Sequence, residues 1–91
     1  MTRRELINAL AAKQNVSKRQ AEEWLDSFVD VVVDKVKDGE KVSITGFGVF
    51  DLGGRAARRG VDPRTQEEIH IPAMRMPRFR AGKRFKEAVR D

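Results

Sequence analysis

The feature that most constrains this chain is the width of the apolar surface on its second predicted helix. A capping-box pattern at residues 17–20 begins this helix, and Asp38-Gly39 ends it after about 20 residues. Its apolar residues recur at helical spacing over an arc wider than one neighbouring element covers. They are Ala21, Trp24, Leu25, Phe28, Val29, Val31, Val32, Val33 and Val36. Because burying a large apolar side chain contributes roughly 1.5 to 3 kcal/mol, the pattern predicts that a second subunit covers this helix.

Length and composition support the same prediction. The chain has 91 residues, which is enough for one domain that buries only about 60 to 65% of its unfolded surface. It has no cysteine, so neither a disulfide nor a thiolate zinc site can add stability, and self-association is the remaining route. No segment is typical of a signal peptide or a membrane span, so we expect a cytoplasmic protein without a membrane partner.

Two further helices are predicted, one at the start of the chain and one at its end. A capping box at Thr2 begins a first amphipathic helix that runs to about Lys13. Gly82 precedes a short last helix with two distinct faces. The apolar face carries Phe85, Ala88 and Val89, and the basic face carries Lys83, Lys86 and Arg90.

Strand patterns occupy the middle of the chain. Residues 41–45 and 49–52 flank Gly46-Phe47-Gly48 and predict a β-hairpin that ends at Gly53-Gly54. A third strand at residues 74–80 contains Pro77, which predicts an edge position or a bulge because proline cannot donate to a sheet ladder.

Residues 55–73 contain too few apolar side chains to form a core of their own. Turn-forming residues at 61–65 and the alternation Ile69-His70-Ile71 predict a two-stranded ribbon. Because an isolated ribbon is only marginally stable in water, we expect this segment to become ordered on a ligand.

The net charge of +5 is distributed unevenly along the chain. Residues 1–54 carry 8 Lys and Arg against 9 Asp and Glu, whereas residues 55–91 carry 11 against 5. Nine of those 11 cations are arginines, whose planar guanidinium groups suit phosphates and narrow grooves. The second half is therefore predicted to face a polyanion, and nucleic acid is the leading partner.

Several motifs spread over the whole chain occur together in one known family. They are Gly46-Phe47-Gly48-Val49-Phe50, Arg55-Ala56-Ala57-Arg58, Gly60, Pro63, Thr65, Glu68-Ile69, Ile71-Pro72-Ala73, Pro77, Phe79, Gly82-Lys83, Lys86 and Ala88-Val89. Together they resemble the histone-like HU and integration host factor family, a standard example of minor-groove DNA binders. The resemblance implies an α+β fold in an intertwined dimer, with a helical base, a three-stranded antiparallel β-sheet saddle and two extended β-ribbon arms.

The resemblance also implies a division of the chain and a set of partners. Residues 1–91 would form one DNA-binding domain, with a helical dimerisation part at 1–39, a saddle and last helix at 40–54 and 74–91, and a DNA-embracing arm at 55–73. The partners would be double-stranded DNA and a second subunit, either identical or related. The implied protein is nucleoid-associated and takes no cofactor and no small-molecule substrate.

In the arm, the candidate DNA-binding residues are Arg55, Arg58, Arg59 and Pro63. The arginines are explained either as groove and phosphate ligands or as solvated charges on an edge strand. Pro63 at the predicted tip either presets a turn or acts as an apolar wedge that intercalates between base pairs.

In the saddle, the candidate DNA-binding residues are Gly46, Arg80, Lys83 and Lys86. The lysines lie beside the free backbone N–H groups that begin the last helix, which is an arrangement suited to anions. The simpler alternative is that they only keep the helix soluble. Gly46 is expected to form a tight turn whose backbone can approach a phosphate.

These residues favour an architectural protein that bends, wraps or compacts DNA with little sequence specificity. Neither a catalytic site nor a metal site is expected, because His70 is the only histidine and the chain has no cysteine to act with it. One rival function is RNA or single-strand binding, but that requires exposed aromatic residues, whereas the phenylalanines occupy core-like positions; these are Phe47, Phe50, Phe79 and Phe85. The other rival is a protein-interaction scaffold of the same fold.

The chain departs from the family pattern at the arm. Val61-Asp62-Pro63 stands where family arms usually carry Arg-Asn-Pro, Gln66 stands in place of a glycine, and Gly53 stands where an arginine is common. Each arm therefore loses two cations and gains an anion, and Gln66 lacks glycine's freedom if the turn needs a positive φ. We expect weaker contacts at the tip and a larger share of affinity from the saddle.

Overall fold

The computed structural model describes residues 1–55 and 58–90, and the chain divides by its contacts into two units, Met1–Asp34 and Lys35–Asp91. Within the described residues the fold is α+β, with helices at both ends of the chain and strands between them. The elements in chain order are α1 (Arg3–Gln14), α2 (Lys18–Lys37), β1 (Val42–Ile44), β2 (Gly48–Arg55), β3 (Arg58–Val61), β4 (Glu68–Ile71), β5 (Met74–Ala81) and α3 (Lys83–Val89).

Side-chain caps begin both helices of the first unit. The Thr2 hydroxyl accepts a hydrogen bond from the Glu5 backbone N–H at 3.2 Å, and the Ser17 hydroxyl accepts one from Gln20 at 3.1 Å. Asn15 ends α1 in the left-handed conformation, with a φ of 54°, which asparagine adopts more readily than most residues. The predicted starts of α1 and α2 are therefore confirmed.

The first unit has a small core and a large uncovered apolar surface. Ile7, Ala11 and Ala21 are buried, and Leu10, Val16 and Leu25 pack against them. By contrast, other apolar residues of α2 stay substantially exposed in a single chain; they are Trp24, Phe28, Val29, Val31 and Val33. The width of the apolar arc predicted this, because one neighbouring helix covers only part of it.

The sheet of the second unit has the strand order β1-β2-β5, and both pairings are antiparallel. Pro77 lies opposite Leu52 on the edge strand β5, as the sequence predicts. The prediction that the hairpin ends at Gly53-Gly54 is wrong. Both glycines continue β2, opposite Met76 and Arg75, because β5 is long enough to pair with them and Gly54 adopts a φ of 130° there.

Four phenylalanine rings cluster on one side of this sheet. The ring centroid of Phe79 lies 4.8 Å from that of Phe50 and 5.1 Å from that of Phe47, and Phe47 stacks on Phe85 at 5.3 Å. Phe79 lies so close to Gly48 that a Cβ added there would come within 2.5 Å of its ring. Nevertheless, Phe47 and Phe79 remain 39% and 40% exposed in a single chain.

A separate two-stranded sheet forms the predicted ribbon. β3 and β4 pair antiparallel from Arg58 opposite Ile71 to Val61 opposite Glu68. The connection at residues 62–67 closes with hydrogen bonds from Asp62 N–H to the Glu67 carbonyl and from Gln66 N–H to the Asp62 carbonyl, each at 2.8 Å. No helix in the described part of the chain has the length and apolarity of a membrane span.

Replacing Phe79 with alanine should lower the free energy of unfolding by about 3 kcal/mol, because the ring contacts both Phe47 and Phe50. Urea denaturation of the purified protein measures this change. Val89→Ala is the matched control, since Val89 is largely exposed and its truncation should have little effect. Equal losses in the two variants would contradict the assignment of the ring cluster as core.

Candidate nucleic-acid interface

Strand alternation separates the sheet into two chemically different faces. Residues directly opposite each other in an antiparallel pair lie on the same face. The ring face carries Phe50 opposite Phe79 and Leu52 opposite Pro77. The other face, called the outer face below, carries Val49 opposite Arg80, Asp51 opposite Arg78 and Gly53 opposite Met76. The predicted site residue Arg80 therefore lies on the face opposite the rings.

On the outer face, one buried carboxylate binds two arginines. Arg78 donates from Nε to Asp51 Oδ1 at 2.8 Å and from Nη2 to Oδ2 at 3.1 Å, which is a bidentate fork. Arg80 donates from Nη2 to the same Oδ2 at 2.7 Å. Sequence reasoning missed Asp51 and Arg78. The available signal was the arginine spacing at 78 and 80, which places both side chains on one face of a strand.

The electrostatics of this cluster favour the ionised carboxylate. The hydrogen bond from Arg78 lowers the pKa of Asp51 from 3.8 to about 2, with a further contribution from Arg80, although burial acts in the opposite direction. The same hydrogen bond and charge raise the pKa of Arg78. The cluster of Asp51, Arg78 and Arg80 therefore carries one net positive charge at neutral pH.

The turn that contains Gly46 lies against the start of α3. Gly46 has a φ of 89°, which favours glycine. The Gly82 N–H donates to the Phe47 carbonyl at 2.8 Å and fixes the helix start beside the turn. Arg84, which the sequence did not single out, lies over Gly46, with its Cδ 3.5 Å from the position of an added Cβ.

Of the two predicted lysines, Lys83 begins α3 next to this turn, whereas Lys86 lies in the last turn of the helix. Lys83 Nζ lies 4.0 Å from Glu87 Oε1, a loose contact between exposed groups, which contributes little. Among the described residues, Lys86 has no acidic partner within 4.0 Å. Two of the predicted saddle residues, Gly46 and Lys83, are thus brought to neighbouring positions with Arg84.

In the ribbon, a glutamate partly neutralises one predicted arginine. Arg59 Nη1 donates to Glu68 Oε1 at 3.2 Å across the two strands, a pairing that was not predicted. The backbone of Arg55 ends β2 and that of Arg58 begins β3. Ala56 and Ala57, which belong to the quoted family motif, lie outside the described residues, as does Asp91.

Pro63 is exposed at the tip of the ribbon, within a turn that its neighbours stabilise. The Asp62 carboxylate accepts a hydrogen bond from the Arg64 N–H at 2.9 Å, which is an Asx-turn. Gln66 adopts a φ of 60°, so the turn does need the left-handed region at this position, which glycine adopts more readily than glutamine. Asp62 is thus part of the turn structure as well as a source of negative charge.

The described residues offer anion-binding groups rather than reactive ones. They include no group of three His, Asp or Glu side chains placed to hold a metal ion. Guanidinium and ammonium groups instead lie along the outer face, the start of α3 and the ribbon. Such surfaces attract phosphates through charge and N–H donors.

Both the sequence and the structure of this chain are similar to those of known DNA-binding proteins. Residues 1–90 match the family described as bacterial DNA-binding protein. The chain is 45% identical over 89 residues to DNA-binding protein HU 1 of Bacillus subtilis, covering 98% of this chain and 97% of that protein. It is 42% identical over 90 residues to DNA-binding protein HU of Geobacillus stearothermophilus, covering 99% and 100%. The structure is similar to the Anabaena HU–DNA cocrystal structure, with a TM-score of 0.81, 43% identity and coverage of 98% and 97%.

The lowered pKa of Asp51 predicts a specific loss of stability in acid. A carboxylate with a depressed folded-state pKa contributes stability that is complete above its unfolded pKa, near 4. That contribution is lost as the pH falls from about 4 towards about 2. The melting temperature of the wild-type protein should therefore fall more steeply over this range than that of Asp51→Asn. Asp30→Asn, at an exposed position of α2, should retain the wild-type slope.

Proposed function

The chain belongs to the bacterial DNA-binding protein family that includes the HU proteins, and from that membership we propose how its surfaces engage DNA. It is an architectural protein that binds double-stranded DNA with little sequence specificity, and it is not an enzyme. The main support for our proposal from this chain is the charge of β5 and α3. Residues 74–90 carry seven Lys and Arg against one acidic residue.

We propose that the saddle contacts the phosphate backbone through Gly46, Arg80, Lys83 and Lys86. Support comes from the outer face, which is opposite the rings, and from the contact between the Gly46 turn and the start of α3. Contacts of this kind position a duplex without reading its sequence. Most of the affinity then comes from the release of counterions. For each phosphate that the protein neutralises, log K falls by roughly 0.9 when the logarithm of the salt concentration rises by one unit.

We propose that the arm follows the minor groove, with Arg55, Arg58 and Arg59 as cationic ligands. Arginine suits a narrow minor groove because the negative potential is strongest there. Pro63 is exposed at the tip of the ribbon and would act as the wedge that enters a base step and intercalates. A wedge of this kind bends the duplex and thereby extends its contact with the saddle.

These assignments give each segment of the chain its own proposed role. Residues 1–39 would serve dimerisation, residues 40–54 and 74–91 the saddle with its last helix, and residues 55–73 the arm. We expect the protein to act on chromosomal DNA in the cytoplasm, as a nucleoid-associated protein. RNA or single-strand binding is less well supported, because the four phenylalanine rings pack against one another rather than forming a stacking platform.

We propose a homodimer, since Trp24 and several valines of α2, together with the ring face, remain uncovered in one chain. Equilibrium sedimentation of the purified chain at micromolar concentration should give the mass of a dimer. A folded monomer at that concentration would refute this packing argument, whereas folding only in the presence of a related chain would indicate a heterodimer.

Lys83→Ala and Lys86→Ala should each weaken binding about equally on duplexes of different sequence. Each should reduce the slope of log K against log salt by about 1 for every phosphate that the lysine no longer neutralises. Fluorescence anisotropy with labelled duplexes at several salt concentrations measures both quantities. Lys13→Ala, at the end of α1, is the control with the same charge change, and an equal reduction there would contradict the saddle assignment.

The double variant Val61→Arg with Asp62→Asn tests the tip. It should tighten binding and increase bending, because each arm gains a cation and loses an anion near the phosphates. Asparagine retains the side-chain oxygen that accepts from the Arg64 N–H, so the turn itself is preserved. Donor–acceptor dyes at the ends of a duplex report the bend at low salt. Unchanged affinity and bending would show that the tip does not touch DNA.

A further inference from the structure

Asp51 is an unexpected residue for the surface on which it lies. It is 3% exposed, whereas the Arg78 and Arg80 side chains that bind it are 51% and 52% exposed. A carboxylate on a DNA-facing surface lowers the positive charge that attracts phosphate by one unit per subunit. Moreover, a buried ion pair is weak evidence for stability, because apolar residues of similar volume often stabilise a fold at least as well. Attraction for phosphate therefore does not explain the carboxylate, and its contribution to stability does not by itself explain why it binds two arginines.

The hydrogen bonds show which donors the two arginines retain. A guanidinium group has five N–H donors in a fixed planar arrangement. Arg78 uses Nε and Nη2 for Asp51, and Arg80 uses Nη2 alone. Nη1 of Arg78, and Nε and Nη1 of Arg80, have no partner among the described residues. Each half-exposed guanidinium group thus presents unused N–H donors, while its hydrogen bonds to Asp51 fix its orientation.

The shared oxygen also keeps two like charges together. Nη2 of Arg78 and Nη2 of Arg80 both contact Asp51 Oδ2, at 3.1 and 2.7 Å. Without the carboxylate, these two cations would repel each other and their long side chains would move apart. With it, the cluster has one net positive charge, which matches the single negative charge of a backbone phosphate.

We propose that Asp51 is a positioning residue that holds Arg78 and Arg80 as a two-guanidinium clamp for one backbone phosphate of duplex DNA. This inference rests on the proposed function, because it takes the outer face of the sheet as the surface that meets DNA. The carboxylate fixes both side chains before DNA arrives, so less conformational freedom is lost on binding. Arg78 becomes a DNA-binding residue in addition to Arg80.

The test compares two variants that change the net charge equally. Asp51→Asn and Asp30→Asn each remove one negative charge, but only the first removes the support of the clamp. Attraction alone predicts that both variants bind a 20-base-pair duplex at least as tightly as the wild type. The clamp predicts instead that Asp51→Asn binds about five-fold more weakly than Asp30→Asn, with a salt slope smaller by about 1 for each phosphate released from a clamp. Asp51→Asn binding as tightly as Asp30→Asn would overturn the clamp.

A second pair of variants keeps the proposal testable if circular dichroism shows that Asp51→Asn does not fold. Arg78→Lys and Arg80→Lys keep the charge but lose the planar fork. Each single substitution should weaken DNA binding several-fold. The double variant should bind only slightly more weakly than the single variant with the lower affinity, because both guanidinium groups contact one phosphate. Arg19→Lys on α2 is the control and should bind like the wild type. Unchanged binding by Arg78→Lys and Arg80→Lys would overturn the clamp.

The clamp and the proposed function fail in different ways. If the wild-type protein does not bind the duplex, the proposed function is wrong and the clamp falls with it. If the wild type binds and the clamp variants bind equally well, DNA binding stands and only the role of Asp51 is refuted.

Discussion

The antiparallel pairing of β2 with β5 is the interaction on which both surfaces of the second unit depend. Its register is continuous from Gly48 opposite Ala81 to Arg55 opposite Met74. Because side chains alternate along a strand, a shift of one residue would exchange the two faces. Phe79 would then leave the ring cluster, and Arg78 and Arg80 would enter it. One ladder thus separates the apolar side from the cationic side.

Local sequence signals were sufficient to predict the helices and the ribbon, because caps and turns depend on residues close in sequence. Thr2 and Ser17 cap their helices as expected, and Gln66 occupies the left-handed region that the turn requires. The length of β2 could not be predicted in this way. Glycines normally weaken a strand, yet Gly53 and Gly54 continue β2 because β5, which lies much later in the sequence, supplies the partner backbone.

The charged part of the candidate site was predicted less completely than the fold. Regional charge located the cationic half, and Arg80 lies on the outer face, opposite the rings. However, a charge count cannot show which cations are already paired. Asp51 meets Arg78 at a separation of 27 residues, and Glu68 meets Arg59 across the ribbon. These contacts depend on strand register, which no single segment of the sequence determines.

The two acidic pairings differ in what they do to a cation. Glu68 contacts one exposed arginine on a free ribbon, where solvent screening makes such a pair weak and easily exchanged for a phosphate. Asp51 is buried and forms a bidentate fork with Arg78, so its arginines stay ordered. On our proposal, the ribbon would adapt its charges to DNA on binding, whereas the saddle would present charges that are already in place. On the same proposal, a chain with a less cationic arm tip would gain most from a saddle of this second kind, because preorganised contacts lose less conformational freedom on binding and would offset the weaker contacts of the arm.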